Sequence, residues 1–266
     1  MRHFRFGKNW AKFAKKINQS DVQQAALDII QLLDTEDLVG KSVLDIGSGS
    51  GIHSAAFYQL KPLKVDSIDY DRDSVRTTCD LLSNNGYPVA GNVWEANILD
   101  LETFHKDKYD IVYAWGVLHH TGNLHLALEN ATKLVNEHGL LAVALYRKTP
   151  FCKFWKIEKR IYSKSPYFVQ KITFFLYVSL LFLVFSVIKR RNFLTYVKNY
   201  KSSRGMNFFI DAHDWLGGYP YESISPQELR SKMKILGFQE SRSFTQPPGL
   251  GLFGSGCDEF VFKKSD

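Results

Sequence analysis

Val43-Leu44-Asp45-Ile46-Gly47-Ser48-Gly49-Ser50-Gly51 is the stretch on which the fold turns. An apolar run, Ser42–Ile46, stops at three glycines in alternate positions, and Ile52–Leu60 then reads as a helix. A buried strand that ends in glycines can bend sharply, and backbone without side chains lets a ligand approach closely. The helix that follows turns its N-terminal amides toward the same bend, where they attract anions.

The same pattern continues outward. Lys64–Asp69, Val93–Asn97, Tyr109–Trp115 and Leu140–Tyr146 read as further strands, with helices expected over Ser74–Ser83 and over Leu124–Val135, the latter closed at Gly139. Strands alternating with helices predict a parallel sheet covered on both faces. Ser225-Pro226-Gln227-Glu228 has the form of a helix start, a capping serine with proline in the first turn and glutamate reaching back, and Gly237 ends that helix. Glu240–Thr245 and Glu259–Lys263 complete the strands. Upstream, the first helix is expected to open at Ser20, with Val22, Ala25, Ala26, Ile29, Ile30 and Leu33 on one face. The expectation is an α/β fold, a Rossmann-like and mostly parallel seven-stranded sheet with helices on both faces. Residues 1–35 form an N-terminal helical cap, 36–149 and 222–266 the α/β domain, and 150–221 an apolar and basic helical insertion.

Composition sets wider bounds. The chain has 266 residues, 45% hydrophobic and 23% charged, which excludes disordered, collagen-like and coiled-coil classes. A net charge of +7 suits nucleic acid, anionic lipid or an acidic substrate without choosing among them. Cys79, Cys152 and Cys257 have no metal-ligand spacing, and their number and scarcity favour a reducing compartment. The basic N-terminus lacks the apolar core of a secretory signal.

A dinucleotide fingerprint would carry a glycine where this chain has Ile52. Instead the G-x-G-x-G spacing, with Asp45 two residues ahead of Gly47, resembles motif I of class I S-adenosylmethionine-dependent methyltransferases. Three later pieces fall in the family's order: Asp69 at the end of the second strand, Glu95-Ala96-Asn97-Ile98-Leu99-Asp100 after the third, and Tyr109-Asp110-Ile111-Val112 leading through Trp115 to His119-His120. A carboxylate at the second strand end can accept both hydrogen bonds of a ribose diol. The resemblance implies S-adenosyl-L-methionine as cofactor, held by Asp45, Gly47, Ser48, Gly49, Gly51, Asp69, Tyr70, Asn97, Ile98 and Trp115. A narrower resemblance rests on Phe6–Trp10, Trp115–Asn123, Ala144–Tyr146, Arg204-Gly205-Met206 and Asp214–Glu222. These look like a bacterial subgroup labelled ubiquinone-biosynthesis-like. The run Gly254-Ser255-Gly256-Cys257-Asp258-Glu259 departs from that subgroup's usual ending at Asp258, where asparagine is common.

The implied reaction is displacement at a methyl group on sulfonium, giving S-adenosylhomocysteine. The cofactor is already activated, so the protein mainly aligns the reacting atoms. An oxygen or nitrogen acceptor needs a base, and His120 and His119 sit at the sheet's carboxyl edge with an ordinary pKa suited to that work. Adjacent loop side chains point different ways, so at most one of the two faces the acceptor; His120 is favoured. His53 is expected near the cofactor rather than as a base. Tyr146, Trp215, Tyr219 and Tyr221 are the candidate acceptor contacts, and Phe6 and Trp10 candidate walls. No metal site is expected. A nucleic-acid acceptor is disfavoured: no Pro-Pro-Tyr motif follows the fourth strand and no cysteine follows a proline. The acceptor class expected is a small or lipid-linked molecule.

Ile172–Ile188 is a run of 17 residues without a charge, ITFFLYVSLLFLVFSVI. As a helix it would be about 25 Å long, short of a hydrocarbon core of about 30 Å. Its Leu, Ile, Phe and Val residues favour a bilayer by roughly 4–8 kcal/mol on an insertion scale. If the last strands complete the sheet begun by the first five, both flanks lie on one side. Basic flanks, Lys153, Lys156, Lys159, Arg160 and Lys164 before it and Lys198, Lys201 and Arg204 after, with Lys189-Arg190-Arg191 directly behind the run, suit peripheral contact with an anionic surface. A buried helix, a dimer interface and a true span stay open, as does the oligomeric state. The expected location is cytoplasmic, at the inner face of a membrane. Two rivals also remain: a nicotinamide oxidoreductase on the same fold, and a non-catalytic membrane-associated module that binds the cofactor.

Overall fold

The computed structural model describes residues 6–103, 107–188, 190, 192–204 and 208–265. Along the chain come helices α1 (Phe6–Ala14) and α2 (Gln19–Leu33), strand β1 (Ser42–Ile46), α3 (Ile52–Gln59), β2 (Lys64–Asp69), α4 (Arg72–Asn84), β3 (Val93–Glu95), β4 (Tyr109–Trp115), α5 (Leu124–Lys133) and β5 (Val135–Tyr146). Four helices form the insertion: α6 (Cys152–Lys164), α7 (Tyr167–Leu183), which runs on into a π turn at Val184–Ile188, α8 (Phe193–Arg204) and α9 (Phe208–Gly217). The chain closes with α10 (Pro226–Ile235), β6 (Phe238–Phe244) and β7 (Cys257–Lys264).

The seven strands form one sheet in the order β3-β2-β1-β4-β5-β7-β6. β1 to β5 run parallel; β7 lies antiparallel to both β5 and β6. β1 is central, so both its faces are covered, and Val43, Leu44 and Ile46 are apolar on either side of the buried Asp45. Leu44 and Ile46 join Val112, Leu128 and Leu229 in a core against α5 and α10. Val43 turns the other way, to Val65, Ile111, Ile29 and Phe57 under α2 and α3. The strand order reverses between β1 and β4, which opens a crevice at their carboxyl ends. Helix α1 packs against α4 and α9.

The expected α/β sheet is observed, with several local corrections. A helix precedes the one expected at Ser20: α1 begins at Phe6. The second begins at Gln19 because Asn18, not Ser20, caps it, its side chain accepting from the Asp21 amide while Asp21 bonds back. α4 starts at Arg72 because Asp71 caps it. α5 ends at Lys133 without a glycine, and Gly139 lies inside β5, where a Cβ would come within 3.0 Å of the Asp110 carbonyl oxygen. Ser225 and Glu228 do form the capping box read from the sequence. Lys189, Arg191, Gly205 and Met206 lie outside the described residues.

Candidate functional site

The bend after β1 is tied to β2 by its backbone. The amides of Gly47 and Ser48 both donate to the Ile68 carbonyl, at 2.7 and 3.0 Å. Gly47, Gly49 and Gly51 have φ of 75°, 55° and 80°, a region that L side chains avoid. A Cβ at Gly47 would stand 2.3 Å from Val117, and one at Gly49 3.2 Å from the Trp10 ring. Ser48 Oγ bonds Thr78 Oγ1 at 2.9 Å, which pins the loop to α4.

Asp69 faces this bend from one strand over. Its Oδ2 accepts from the Gly49 amide at 3.0 Å and its Oδ1 from the Asp71 amide at 2.8 Å. Burial raises its pKa to about 6, against the lowering effect of those amides. Each carboxylate oxygen keeps capacity for a further donor. Asn97 and Ile98 stand beside it on the cleft wall, with Asn97 Oδ1 accepting from the Leu99 amide at 3.0 Å. Trp115 is on the same wall, its indole N–H donating to Glu259 at 2.7 Å. Tyr70 lines the outer edge and is exposed.

The cleft is one continuous cavity of about 1940 Å³. One end is bounded by Gly47, Ser48, Gly49, Asp69 and Asn97, the other by Tyr177, Leu181, Phe185, Tyr196 and Phe208 of the insertion. A drug-sized ligand needs about 300–1,000 Å³, so this cavity has room for a nucleoside cofactor and a second molecule. Asp45 and Gly51 stand behind the loop rather than on its open side. Asp45 accepts from Ser54 Oγ at 2.6 Å, and burial raises its pKa to about 7. Its contact is with the helix that supports the bend.

Both histidines stand at the cleft, and their burial and partners differ. His119 is 1% exposed and its Nδ1 accepts from the Tyr146 amide at 3.3 Å. Burial holds its pKa well below the usual value, so it is a neutral packing and hydrogen-bonding residue. His120 lines the cleft with its Nδ1 2.7 Å from the Pro220 carbonyl. That carbonyl can only accept, so Nδ1 carries the proton and Nε2 is the basic nitrogen. His53 is half-buried on the cleft lining against Tyr113 and Trp115, and desolvation lowers its pKa to about 4. Tyr146 and Trp215 line the cleft edge to face, 5.3 Å between centroids. Beneath Trp215 the buried Lys159 ammonium lies 3.5 Å from the ring centroid and donates to the Trp215 carbonyl. Tyr219 and Tyr221 are buried outside the cleft lining; the Tyr221 hydroxyl bonds Cys152 and Ser255. Asp258 is also off the lining, accepting from the Gln246 amide and pairing with Arg147.

Three residues of the site were not singled out from the sequence. Asp214 lines the cleft, accepts from Asn9 at 2.7 Å, and burial raises its pKa to about 8. Asn9 thereby ties α1 to α9, and Asp71 ties α1 to α4 by accepting from the Gly7 amide at 3.1 Å. Asn9 and Asp214 lie within stretches whose pattern was noted, but a sequence does not say that residues 205 positions apart meet. Among the described residues no cluster of His, Cys, Asp or Glu could hold a metal.

A sheet of this order, with a glycine bend after β1 and a carboxylate at the end of β2, defines the class I S-adenosylmethionine-dependent methyltransferase architecture. Residues 18–177, more than half of the chain, match the family described as methyltransferase domain, and the chain belongs to that family. It is 29% identical over 119 residues to a ubiquinone biosynthesis O-methyltransferase of Glaesserella parasuis, covering 43% of this chain and 49% of that protein. It is 30% identical over 102 residues to a ribosomal protein L11 methyltransferase of Macrococcus caseolyticus, covering 38% and 31%. The chain thus spans half or less of the length of these curated relatives. Among solved structures, magnesium protoporphyrin IX methyltransferase of Synechocystis with bound SAH superimposes with a TM-score of 0.53 at 16% identity, over 94% of this chain and 89% of that one. A chain from the complex between the Haloferax volcanii Trm112 methyltransferase activator and a putative methyltransferase gives 0.54 at 12%, with both chains fully covered. At such identities the likeness concerns the fold.

Proposed function

We propose that this chain transfers the methyl group of S-adenosyl-L-methionine to a small or lipid-linked acceptor, releasing S-adenosylhomocysteine. The observation that carries this reading is the pairing of the Asp69 carboxylate with the Gly49 amide at the floor of an open cleft. The donor set suits a sulfonium nucleoside: a buried carboxylate for a ribose diol, side-chain-free backbone at Gly47 and Gly49, and Asn97 with Ile98 for a base. When bound, that cofactor supplies an activated methyl group.

The chain's residues then do the rest. Gly47–Gly49 and Asp69 fix the nucleoside, and Trp10 and Phe6 of α1 wall the cleft from outside. A cleft shut to water strengthens every charge interaction within it. His120 Nε2 and the Asp214 carboxyl are the two groups on the lining suited to take a proton from an acceptor hydroxyl or amine, work typically worth about 10²–10⁴ in rate. Positive charge on a bound sulfonium favours the ionised form of Asp214. The aromatic and aliphatic end of the cavity, at Tyr177, Leu181 and Phe185, suits an acceptor with an apolar tail. The three cysteines form no disulfide with one another, which fits a reducing compartment, and we put the chain in the cytoplasm at the inner face of a membrane.

The test is incubation of the full chain with methyl-labelled S-adenosylmethionine and separate membrane-lipid and soluble fractions of source-cell extract. Label in the lipid extract supports a lipid-linked acceptor, and label in soluble metabolites a small one. Tight cofactor binding without turnover on any fraction would leave a non-catalytic binding module. A nicotinamide nucleotide bound in preference would make the chain an oxidoreductase.

A further inference from the structure

The insertion turns its most apolar helix outward. Within Tyr167–Val187 an 18-residue window reaches a mean hydropathy of 2.0, and of its side chains only Leu181 and Val184 are buried. Phe168, Phe175 and Leu176 are 65%, 70% and 62% exposed. Soluble proteins rarely expose contiguous apolar surface beyond a few hundred Å² unless something covers it. Two neighbours extend the patch. Helix α6 packs on α7 and exposes Phe154, Ile157 and Ile161 at helical spacing. The loop at 250–253 exposes Leu250, Leu252 and Phe253, and is held to both helices: Trp155 donates to the Gly251 carbonyl and Tyr177 to the Phe253 carbonyl.

Charge says what covers it. Residues 150–210 contain twelve Lys or Arg and one acid, Glu158, a net of +11. The whole chain is +7, so the other residues together carry −4. The basic side chains Lys153, Lys156, Arg160 and Lys164 interleave with the exposed apolar residues of α6, all four exposed. A second copy of the chain would set +11 against +11. A nucleic acid would gain from the lysines but not from the apolar side chains of α7.

We propose that the outer face of α6 and α7, with the 250–253 loop, docks on an anionic lipid bilayer. The aliphatic and phenyl groups of α7 enter the headgroup boundary while the lysines of α6 meet lipid phosphates. The helix lies on the surface and does not cross. α6 and α7 both pack on α9, and β5, ahead of the insertion, pairs with β7, beyond it. Both ends of α7 therefore return to the same body. Docking rests on this exposed face and not on the methyl-transfer reading.

The test is co-sedimentation of the full chain with vesicles of phosphatidylcholine alone or mixed with phosphatidylglycerol, at low and high salt. The chain is expected to bind the mixed vesicles, and to be released by salt. Replacing Lys153, Lys156 and Lys164 by Gln should weaken binding about a hundredfold at low salt. The pair Phe175→Asp and Leu176→Asp should abolish it. Both variants touch only exposed positions, and S-adenosylmethionine titration with circular dichroism reports that they are folded. A folded wild-type chain that stays in the supernatant at low salt overturns docking. So does a dimer broken by the Phe175→Asp, Leu176→Asp pair, or oligonucleotide binding, if vesicles are not bound. Loss of cofactor affinity with vesicle binding intact would instead strike the methyl-transfer reading and leave docking standing.

Discussion

Asn9 Nδ2 donates to Asp214 Oδ1 at 2.7 Å, a bond that fastens the first helix of the chain to the ninth across the mouth of the cleft. Asp214 is 7% exposed, and its second oxygen has no partner among the described residues. Burial favours its neutral form up to about pH 8, and the Asn9 amide pulls that value down. The group is both a latch and a titratable acid on the wall of the site.

The latch and the acid can be separated by mutation. Asp214→Asn keeps an acceptor for Asn9, so folding and cofactor affinity should hold. If Asp214 takes the acceptor proton, kcat should drop by about 10²–10⁴, and the limb of the pH–rate profile near 8 should vanish. Asn9→Ala should cost about 1 kcal/mol of stability and move that limb to higher pH, because the amide that favoured the carboxylate is gone. An Asp214→Asn enzyme with unchanged kcat would leave the proton to His120, and His120→Gln would then carry the loss.

Asp69 should set cofactor affinity. Removing it in Asp69→Ala takes away charged hydrogen bonds worth about 2–3 kcal/mol, which is roughly 30–150-fold in Kd. Titration calorimetry with S-adenosylmethionine reads this directly, and an unchanged Kd would remove Asp69 from the ribose. The pKa of about 6 adds a second signature. The carboxylate accepts two hydroxyl donors better than the acid does. Affinity should therefore rise from pH 5 to 7 in the wild type and stay flat in Asp69→Asn.

Gly47→Ala should fail for two separable reasons. The backbone at φ 75° costs a non-glycine residue about 1–2 kcal/mol, and the new methyl would sit 2.3 Å from Val117. The double variant Gly47→Ala with Val117→Ala relieves the second term only. Melting temperature should fall most in the single variant and recover in part in the double. Equal melting in both would mean that Val117 shifts aside freely.

The central strands were legible because β1, β2 and β4 are buried on both faces, so Val43-Leu44, Val65, Ile68 and Ile111-Val112 are apolar, with Asp45, Asp66 and Ser67 as buried polar interruptions. The glycine bend was legible because only glycine serves at Gly47 and Gly49. Helix α1 was passed over although Phe6, Trp10 and Phe13 stand at helical spacing, because the surrounding lysines hide a short apolar face whose partners, α4 and α9, lie far along the chain. Asp214 was hidden by its neighbours: beside Trp215 and the paired glycines it looks like part of a turn. Its role depends on Asn9, which local patterning cannot connect to it. The ring of Tyr221 was misplaced among the acceptor contacts for the same reason, since its burial is set by Cys152 and Ser255 from distant segments.

Stability should fall between about pH 6.5 and 8. Asp45, Asp69 and Asp214 have pKa values raised from 3.8 to about 7, 6 and 8 by burial. A carboxyl that keeps its proton in the folded state and loses it on unfolding makes stability decline as pH rises, by about 1.4 kcal/mol per pH unit while the difference is complete. His53 and His119 act in the opposite sense. Both are held neutral by burial, so unfolding takes up their protons below about pH 6.5 and stability rises with pH there. Below 6.5 acids and histidines oppose each other and the curve should be shallow. Above it the unfolded histidines are largely neutral, and Asp45 and Asp214 set the decline. Burial also pushes Glu158 up to about 7 and Lys159 down to about 7, so Glu158 adds to the decline up to neutrality and Lys159 opposes it above. Urea unfolding from pH 5 to 8.5 should show a near-plateau and then a decline. Asp45→Asn, which retains an acceptor for Ser54, should remove the earlier part of that decline and Asp214→Asn the later part. A midpoint that climbs through this window would mean that these carboxyls are ionised in the folded chain, and the site would then hold more water than its burial implies.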